Sequence, residues 1–208
     1  MKRLPSMLTV EHGHYFLILA LFLAIAQGIF GLLGGAKNWR GWMSVTPVLA
    51  LAQFAAVFIS FMLLIRAFII SDFSVRLVAQ NSHSPQPMLY KIAGTWGNHE
   101  GSMLMWVMIL ALFGAAVALG TRNMPMRLRA RILGVHAVIG VMFYLFILLT
   151  SNPFLRIAPP EDGAGLNPIL QDPGLAFHPP MLYLGYVGLS VAFSFSIAAL
   201  LDGRVDAA

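Results

Sequence analysis

The chain has 208 residues, of which 59% are hydrophobic and only 10% charged, and its mean hydropathy is +0.79. A soluble domain usually has roughly a quarter of its residues charged, so this composition excludes an ordinary soluble enzyme and indicates a membrane protein. The net charge of +5 sits in segments between apolar runs, where cations orient a chain rather than bind nucleic acid; the absence of cysteine excludes disulfides, thiolate metal sites and thiol chemistry.

Five apolar runs are each long enough to cross about 30 Å of hydrocarbon. They predict an all-α fold: a polytopic membrane helix bundle of five transmembrane helices with two long outer loops, forming a single membrane domain over 1–208. Met1-Lys2-Arg3, ahead of an apolar run with Ala24-Ile25-Ala26, has the outline of a cleaved signal peptide. Glu11, His12 and His14 interrupt that outline and the run continues to Leu33, so it reads as a first span over about 15–33. The glycines, cations and tryptophans from Gly34 to Trp42 predict an interfacial turn. The second span covers about 47–70, with Gln53 as an interhelical hydrogen-bonding residue and Arg66 snorkelling from the last turn.

A polar region from Ser71 to Ser102 follows and ends in Thr95-Trp96-Gly97-Asn98-His99-Glu100-Gly101-Ser102. Loops of this length are functional or disordered, and the tryptophan favours an ordered, membrane-hugging loop. The third span covers about 103–120, and Glu100 and Ser102 suit the positive end of its helix as caps. The next connection, Thr121 to Arg131, holds Arg122, Arg127, Arg129 and Arg131 and no acid. Placing it in the cytoplasm puts the N-terminus and both long loops outside and the C-terminus inside. Lys37, Arg40, those four arginines and Arg204 then lie inside, and the other six of the 13 cations outside.

The fourth span, about 132–150, carries His136 in its first turn near the cytoplasmic surface, where helix packing is a plainer role than ligation. The loop from Ser151 to Pro180 is rich in proline and holds Glu161, Asp162 and Asp172, which predicts turns and short helical pieces rather than strand. Its part from Leu166 to Phe177 is apolar enough to lie on the bilayer surface. The fifth span, about 181–201, has Gly185, Gly188, Ala192 and Ser196 as a small-residue stripe that lets another helix approach closely.

The sequence has no HExxH, no visible nucleophile and base pairing and no phosphate-cradling glycine loop. Two clusters stand at helix starts: Trp96, His99 and Glu100 before the third span, and His178-Pro179-Pro180, with Asp172 upstream, before the fifth. Proline fits a helix's first turn and holds the preceding residue extended, which presents the His178 imidazole on a stiff backbone at the membrane surface. A neutral imidazole so placed suits axial ligation of a haem iron. It equally suits a plain helix-start histidine bonded to a loop carbonyl, and the residues leave both readings open. A capping acid and an interfacial histidine beside Trp96 account for Glu100 and His99 without any ligand.

Ser71-Asp-Phe-Ser-Val75, Thr95-Trp-Gly-Asn-His-Glu-Gly-Ser102, Thr150-Ser-Asn-Pro-Phe154 and the long run Leu166-Asn-Pro-Ile-Leu-Gln-Asp-Pro-Gly-Leu-Ala-Phe-His-Pro-Pro-Met-Leu-Tyr-Leu-Gly-Tyr186 together resemble, in order, the N-terminal portion of the CcmF family. That family is the haem lyase component of bacterial system I cytochrome c maturation. The resemblance implies a multi-pass inner-membrane protein that receives b-type haem from the chaperone CcmE. With CcmH-type partners it helps attach that haem to apocytochrome c on the periplasmic side. It implies that His178, the histidine of the family's HPP motif, is an axial ligand to the haem iron.

The family's tryptophan-rich WWD segment, its second periplasmic ligand histidine and the two histidines of a further resident b haem have no counterpart in these residues. The resemblance therefore implies one haem ligand and not a complete site. It further implies dependence on a downstream WWD-bearing chain or a C-terminal continuation, and no activity for this chain by itself. The paralogue devoted to haem attachment in a multihaem nitrite reductase shares these motifs. A small-solute transporter component is the competing class; it predicts function without a partner, and the absence of a buried charge pair or a broken-helix centre in any span argues against it.

Overall fold

The computed structural model describes residues 10–203. The Met1-Lys2-Arg3 segment of the signal-peptide outline, and Arg204 of the charge count, lie outside the described residues. Within them five helices are long and apolar enough to cross a membrane: α1 (Val10–Lys37), α2 (Arg40–Ile69), α5 (His99–Gly120), α6 (Met126–Thr150) and α7 (Pro173–Asp202). Two short helices, α3 (Arg76–Asn81) and α4 (Met88–Gly94), lie in the first long connection, and a 3₁₀ turn, Pro168–Leu170, lies in the second. An isolated bridge between Val75 and Arg156 is the sole β pairing among the described residues.

The predicted spans are all present, but the helices run beyond them. The interfacial turn between the first two shrinks to Asn38 and Trp39, because α1 continues through Lys37 and α2 starts at Arg40. The arginine-rich connection likewise shortens to 121–125. Pro125 stands at the N-cap of α6 and places Arg127, Arg129 and Arg131 on the helix. The fifth helix starts eight residues before the predicted Met181, at Pro173, where the Asp172 carboxylate accepts the Leu175 N–H at 3.1 Å and proline occupies the first helical position. Of the stretch from Leu166 to Phe177 expected on the bilayer surface, Leu166 is buried, whereas Ile169 and Phe177 are exposed.

α1 packs along α2 and α6, with α5 against α2 and α7 against α5 and α6. The tightest crossing is between α1 and α6. A Cβ on Gly31 would meet the Ala130 carbonyl and come within 2.7 Å of Gly134 Cα. Small residues four apart on both helices, Gly31 with Gly35 and Ala130 with Gly134, permit this approach. Polar side chains then bond across the helices: Gln27 Nε2 donates to Leu133 O at 2.8 Å, Ser60 Oγ to Gly13 O at 2.8 Å, and Gln53 Nε2 to the Tyr144 hydroxyl at 3.2 Å. The interhelical role expected of Gln53 is thus observed.

His136 is buried at the junction of α5, α6 and α7, with Nε2 2.8 Å from Leu110 O and Nδ1 3.3 Å from Ser194 Oγ. Packing is its role, as expected, but Leu110 is midway along α5, so it lies deeper than the cytoplasmic surface. The expectation that no span carries a buried charge pair is also corrected. Arg131, with 7% of its side chain exposed, meets Asp202 at 2.6 Å and bonds Gly35 O and Leu201 O. The longer helices cause this difference, since both charges belong to turns that the apolar runs alone assign to loops.

Both long connections fold together at one end. Arg76 N donates to Leu155 O, Ile157 N to Ser74 O and Ala164 N to Ala79 O, all within 2.9 Å. Arg156 ties Glu11 of α1 at 2.6 Å and Asp72 at 3.1 Å. Burial alone would lower its guanidinium's affinity for the proton, and the hydrogen bond and charge of Glu11 together with Asp72 raise it above the ordinary arginine value instead. The Asp162 carboxyl accepts the Ser84 and Gly163 amides at 2.9 and 2.7 Å, which holds it below the usual carboxylate range. The short turns and the end of α7 gather at the opposite end, through Arg127 and Arg131 on Asp202.

Candidate functional site

Members of both sequence clusters, Trp96 and His99 of the first and Pro179 of the second, line a cavity of about 410 Å³ at the loop-bearing end, between the start of α5 and the start of α7. Trp96, Asn98, His99 and Ser102 form one wall, and Leu166, Leu170, Leu175, Pro179 and Tyr183 the other. The segment Trp96 to Ser102 is held by its own bonds. Asn98 Oδ1 accepts the Gly101 N–H at 2.7 Å as the true N-cap of α5, a role that sequence reasoning gave to Glu100 and Ser102. Glu100 instead pairs with Arg76 at 3.3 Å, and Ser102 Oγ donates to Trp96 O at 2.6 Å. An Asn three residues ahead of Gly101 is a readable cap signal, masked in the sequence by the acid that follows it.

His99 lies in the first turn of α5. Its Nε2 is 2.9 Å from Ser151 Oγ, and its ring stands edge-on to Phe146 with centroids 6.0 Å apart. Trp96 stacks on Phe61, and its indole N–H reaches across to Ala176 O of α7 at 3.0 Å. Asp172 caps α7 as described. These residues build the frame of the site, and none of their contacts needs a bound group.

His178 is placed differently from the sequence expectation. It is helical, within the second turn of α7, because Pro179 and Pro180 stand at the seventh and eighth helical positions instead of in the first turn. The Asp172-Pro173 pair is the signal that locates the real start. Nine residues separate His178 from buried Val187, which is two and a half turns at about 3.6 residues per turn. The two therefore face opposite ways, and His178 looks out from the bundle, away from the cavity that Pro179 lines. Phe177, Met181 and Leu182 around it are each more than half exposed. Among the described residues His178 has no hydrogen-bond or ion-pair partner, and no group of three or more His, Cys, Asp or Glu forms a metal-binding cluster.

Most of the small-residue stripe falls on this same outward side. Gly185, Ala192 and Ser196 are exposed, whereas the buried positions of α7 are Ala176, Val187, Ser194 and Ala198. Of the predicted stripe only Gly188 turns inward, where an added Cβ would come within 3.3 Å of the Phe113 ring of α5; the other three do not pack within the described bundle. α7 is the peripheral helix: 17% of its most apolar window is buried, against at least 39% for each of the other four.

Residues 96–206, more than half of the chain, match the sequence profile of the cytochrome C assembly protein family. The chain belongs to that family. It is 60% identical over 200 residues to the cytochrome c-type biogenesis protein ccl1 of Rhodobacter capsulatus, a match covering 96% of this chain and 31% of that protein. Against the cytochrome c-type biogenesis protein CcmF of Escherichia coli the identity is 46% over 198 residues, 94% of this chain and 31% of that one. The solved structure of a cytochrome c heme lyase CcmF superposes with a TM-score of 0.84 at 24% identity, over 98% of this chain and 32% of its own. At that identity the superposition establishes the fold. The chain spans about a third of the length of the curated relatives it matches. Membership and five apolar helices together make it a multi-pass membrane protein of the cytochrome C assembly family, matching an N-terminal portion of CcmF.

Proposed function

We propose that this chain forms part of a membrane haem lyase, taking haem from the CcmE chaperone for attachment to apocytochrome c, with His178 as one axial ligand to the haem iron. The observation that carries this reading is the presentation of His178. An imidazole without a partner among the described residues projects from the bundle, flanked by exposed Phe177, Met181 and Leu182. A porphyrin needs such a combination, a free ring nitrogen for the iron and apolar surface for the macrocycle. The residues present fit one axial position only. His99 is turned toward Ser151 and Phe146, on the other side of α7's start. The opposing ligand and the covering aromatic surface are assigned to a WWD-bearing segment, in a continuation of this chain or a second chain, with CcmH-type subunits alongside.

In this reading the loop-bearing end faces the periplasm across a bacterial inner membrane, and 1–208 is a single membrane domain. The shared frame of the two connections supplies a rigid outer surface on which the chaperone and the apocytochrome dock. Exposed Arg127 supports the opposite end as cytoplasmic, as does Arg122 in the short turn.

The test is co-expression with the WWD-bearing chain and comparison of haem content between wild type and His178→Ala. The expected outcome is loss of retained haem and of cytochrome c assembly. Unchanged retention and assembly would remove His178 as a ligand. The nitrite reductase paralogue predicts instead that deleting the chain spares monohaem cytochromes and abolishes only the multihaem enzyme.

A further inference from the structure

The start of α7 has a defect that its own helix cannot repair. Proline has no N–H, so each proline inside a helix leaves the carbonyl four residues earlier without its backbone donor. Pro179 and Pro180 orphan the carbonyls of Leu175 and Ala176 in this way. Leu175 is 41% exposed, but Ala176 is 2% exposed, and a buried carbonyl requires a partner from the protein. Trp96 Nε1 donates to this carbonyl, at 3.0 Å.

The chain solves the same problem once more. Pro47 inside α2 orphans Met43 O, and the Thr46 hydroxyl donates to it at 2.8 Å in a buried setting. There the donor is local. In α7 it comes from 80 residues away and so fixes α7 to the Trp96–Ser102 segment as well as completing the helix. The indole can do this because its ring is stacked on Phe61 and the backbone that carries it is held by Ser102 Oγ donating to Trp96 O.

We infer that Trp96 is the positioning residue for His178: its indole N–H replaces the backbone donor that Pro180 lacks, and so sets the direction of the helical turn from which the His178 imidazole projects. Ala176 lies half a turn before His178, so a change in the helix at that carbonyl is passed directly to the histidine. Without this donor the two prolines would leave the first turns of α7 joined to the rest only by bonds on one side. The functional value of this placement rests on the ligand role proposed for His178; the structural coupling does not.

The experiment uses this independence. The chain has no cysteine, so spin labels on Met88→Cys, an exposed position of α4, and on His178→Cys report one distance in the full chain in lipid nanodiscs. Trp96→Phe keeps the ring and removes the N–H. It should broaden the distance distribution, and adding Pro180→Ala, which restores a backbone N–H for Ala176 O, should narrow it again. An unchanged distribution in Trp96→Phe, or broadening that Pro180→Ala fails to reverse, overturns the inference; the latter is also what a merely misfolded variant would give. With His178 intact and the haem-loaded complex in hand, the same variants should lose and regain the low-spin absorption signature in parallel. Should His178→Ala leave haem untouched, the ligand reading fails and the distance series still decides the role of Trp96.

Discussion

Arg131 and Asp202 illustrate how much a single pair can govern at the end of a membrane bundle. Arg131 is nearly enclosed and also bonds two carbonyls, whereas Asp202 has a second partner in Arg127 at 3.2 Å. Removing the acid strands a buried guanidinium; removing Arg131 leaves Asp202 still paired. Asp202→Leu should therefore destabilise the protein by roughly 3–5 kcal/mol, the cost of an unpaired buried charge, and Arg131→Met should cost clearly less. The double variant should recover most of the difference. Reversible unfolding in detergent micelles measures all three, and equal losses in the two single variants would contradict the asymmetry. Such a pair is invisible to composition, because both charges look like loop residues until the helix starts are known. Gln53 was legible for the opposite reason: an amide in the middle of an apolar run has few fates other than a partner on a neighbouring helix.

Whole helices were readable from the length of their apolar runs, and their ends were not. Hydrocarbon thickness sets the apolar length, but capping sets the helix length, and the caps here are Asn98, Pro125 and Asp172 with Pro173. Missing the last of these placed His178 in extended chain instead of in a helical turn. The pairing of helices was also only partly readable. Gly31, Gly35, Ala130 and Gly134 have the spacing of close-packing helices, yet the similar stripe Gly185, Ala192 and Ser196 faces outward, and spacing alone does not distinguish them. The contact decides the energetics: at Gly31 an added methyl meets backbone, which cannot rotate away. Gly31→Ala should cost about 1–3 kcal/mol as an overpacking change, measured by the same unfolding assay. Gly185→Ala, with nothing within 4 Å of the new methyl, should cost nothing and gain up to about 1 kcal/mol of helix propensity. A neutral Gly31→Ala would show that α1 and α6 are not in close contact.

Taken as a whole, the molecule has two unlike ends. One is a frame of interlocked loops joined by backbone bonds and by Arg156; the other is a set of short turns gathered on Asp202. This division predicts the outcome of membrane-impermeant thiol labelling. Cysteines at Ser84 and Glu161 should both react from the periplasmic side, and a cysteine at Asn123 only after the membrane is opened. Labelling of Ser84 and Glu161 from opposite sides would break the loop frame, and reaction of all three from the cytoplasm would invert the proposed orientation. The positive charge of the short connection suggested this sidedness, whereas the interlocking of two connections some 80 residues apart was not readable, because neither has a periodic pattern.

The peripheral position of α7 has a consequence for how the protein can fluctuate. The four other spanning helices bury more of their apolar windows than α7 does; α7 is held by the rings of Tyr183 and Tyr186 on Trp106 of α5 and by three polar points, Trp96 on Ala176, His136 on Ser194, and Arg131 on Asp202. Regions with little buried apolar contact open at a fraction of the global unfolding free energy. The lower burial of α7 predicts that its amides exchange with solvent ahead of those of the other four helices, beginning at its loop-side end, as hydrogen exchange in lipid would measure. In the proposed role, a grip that can be released without unfolding its support would let the haem be handed on.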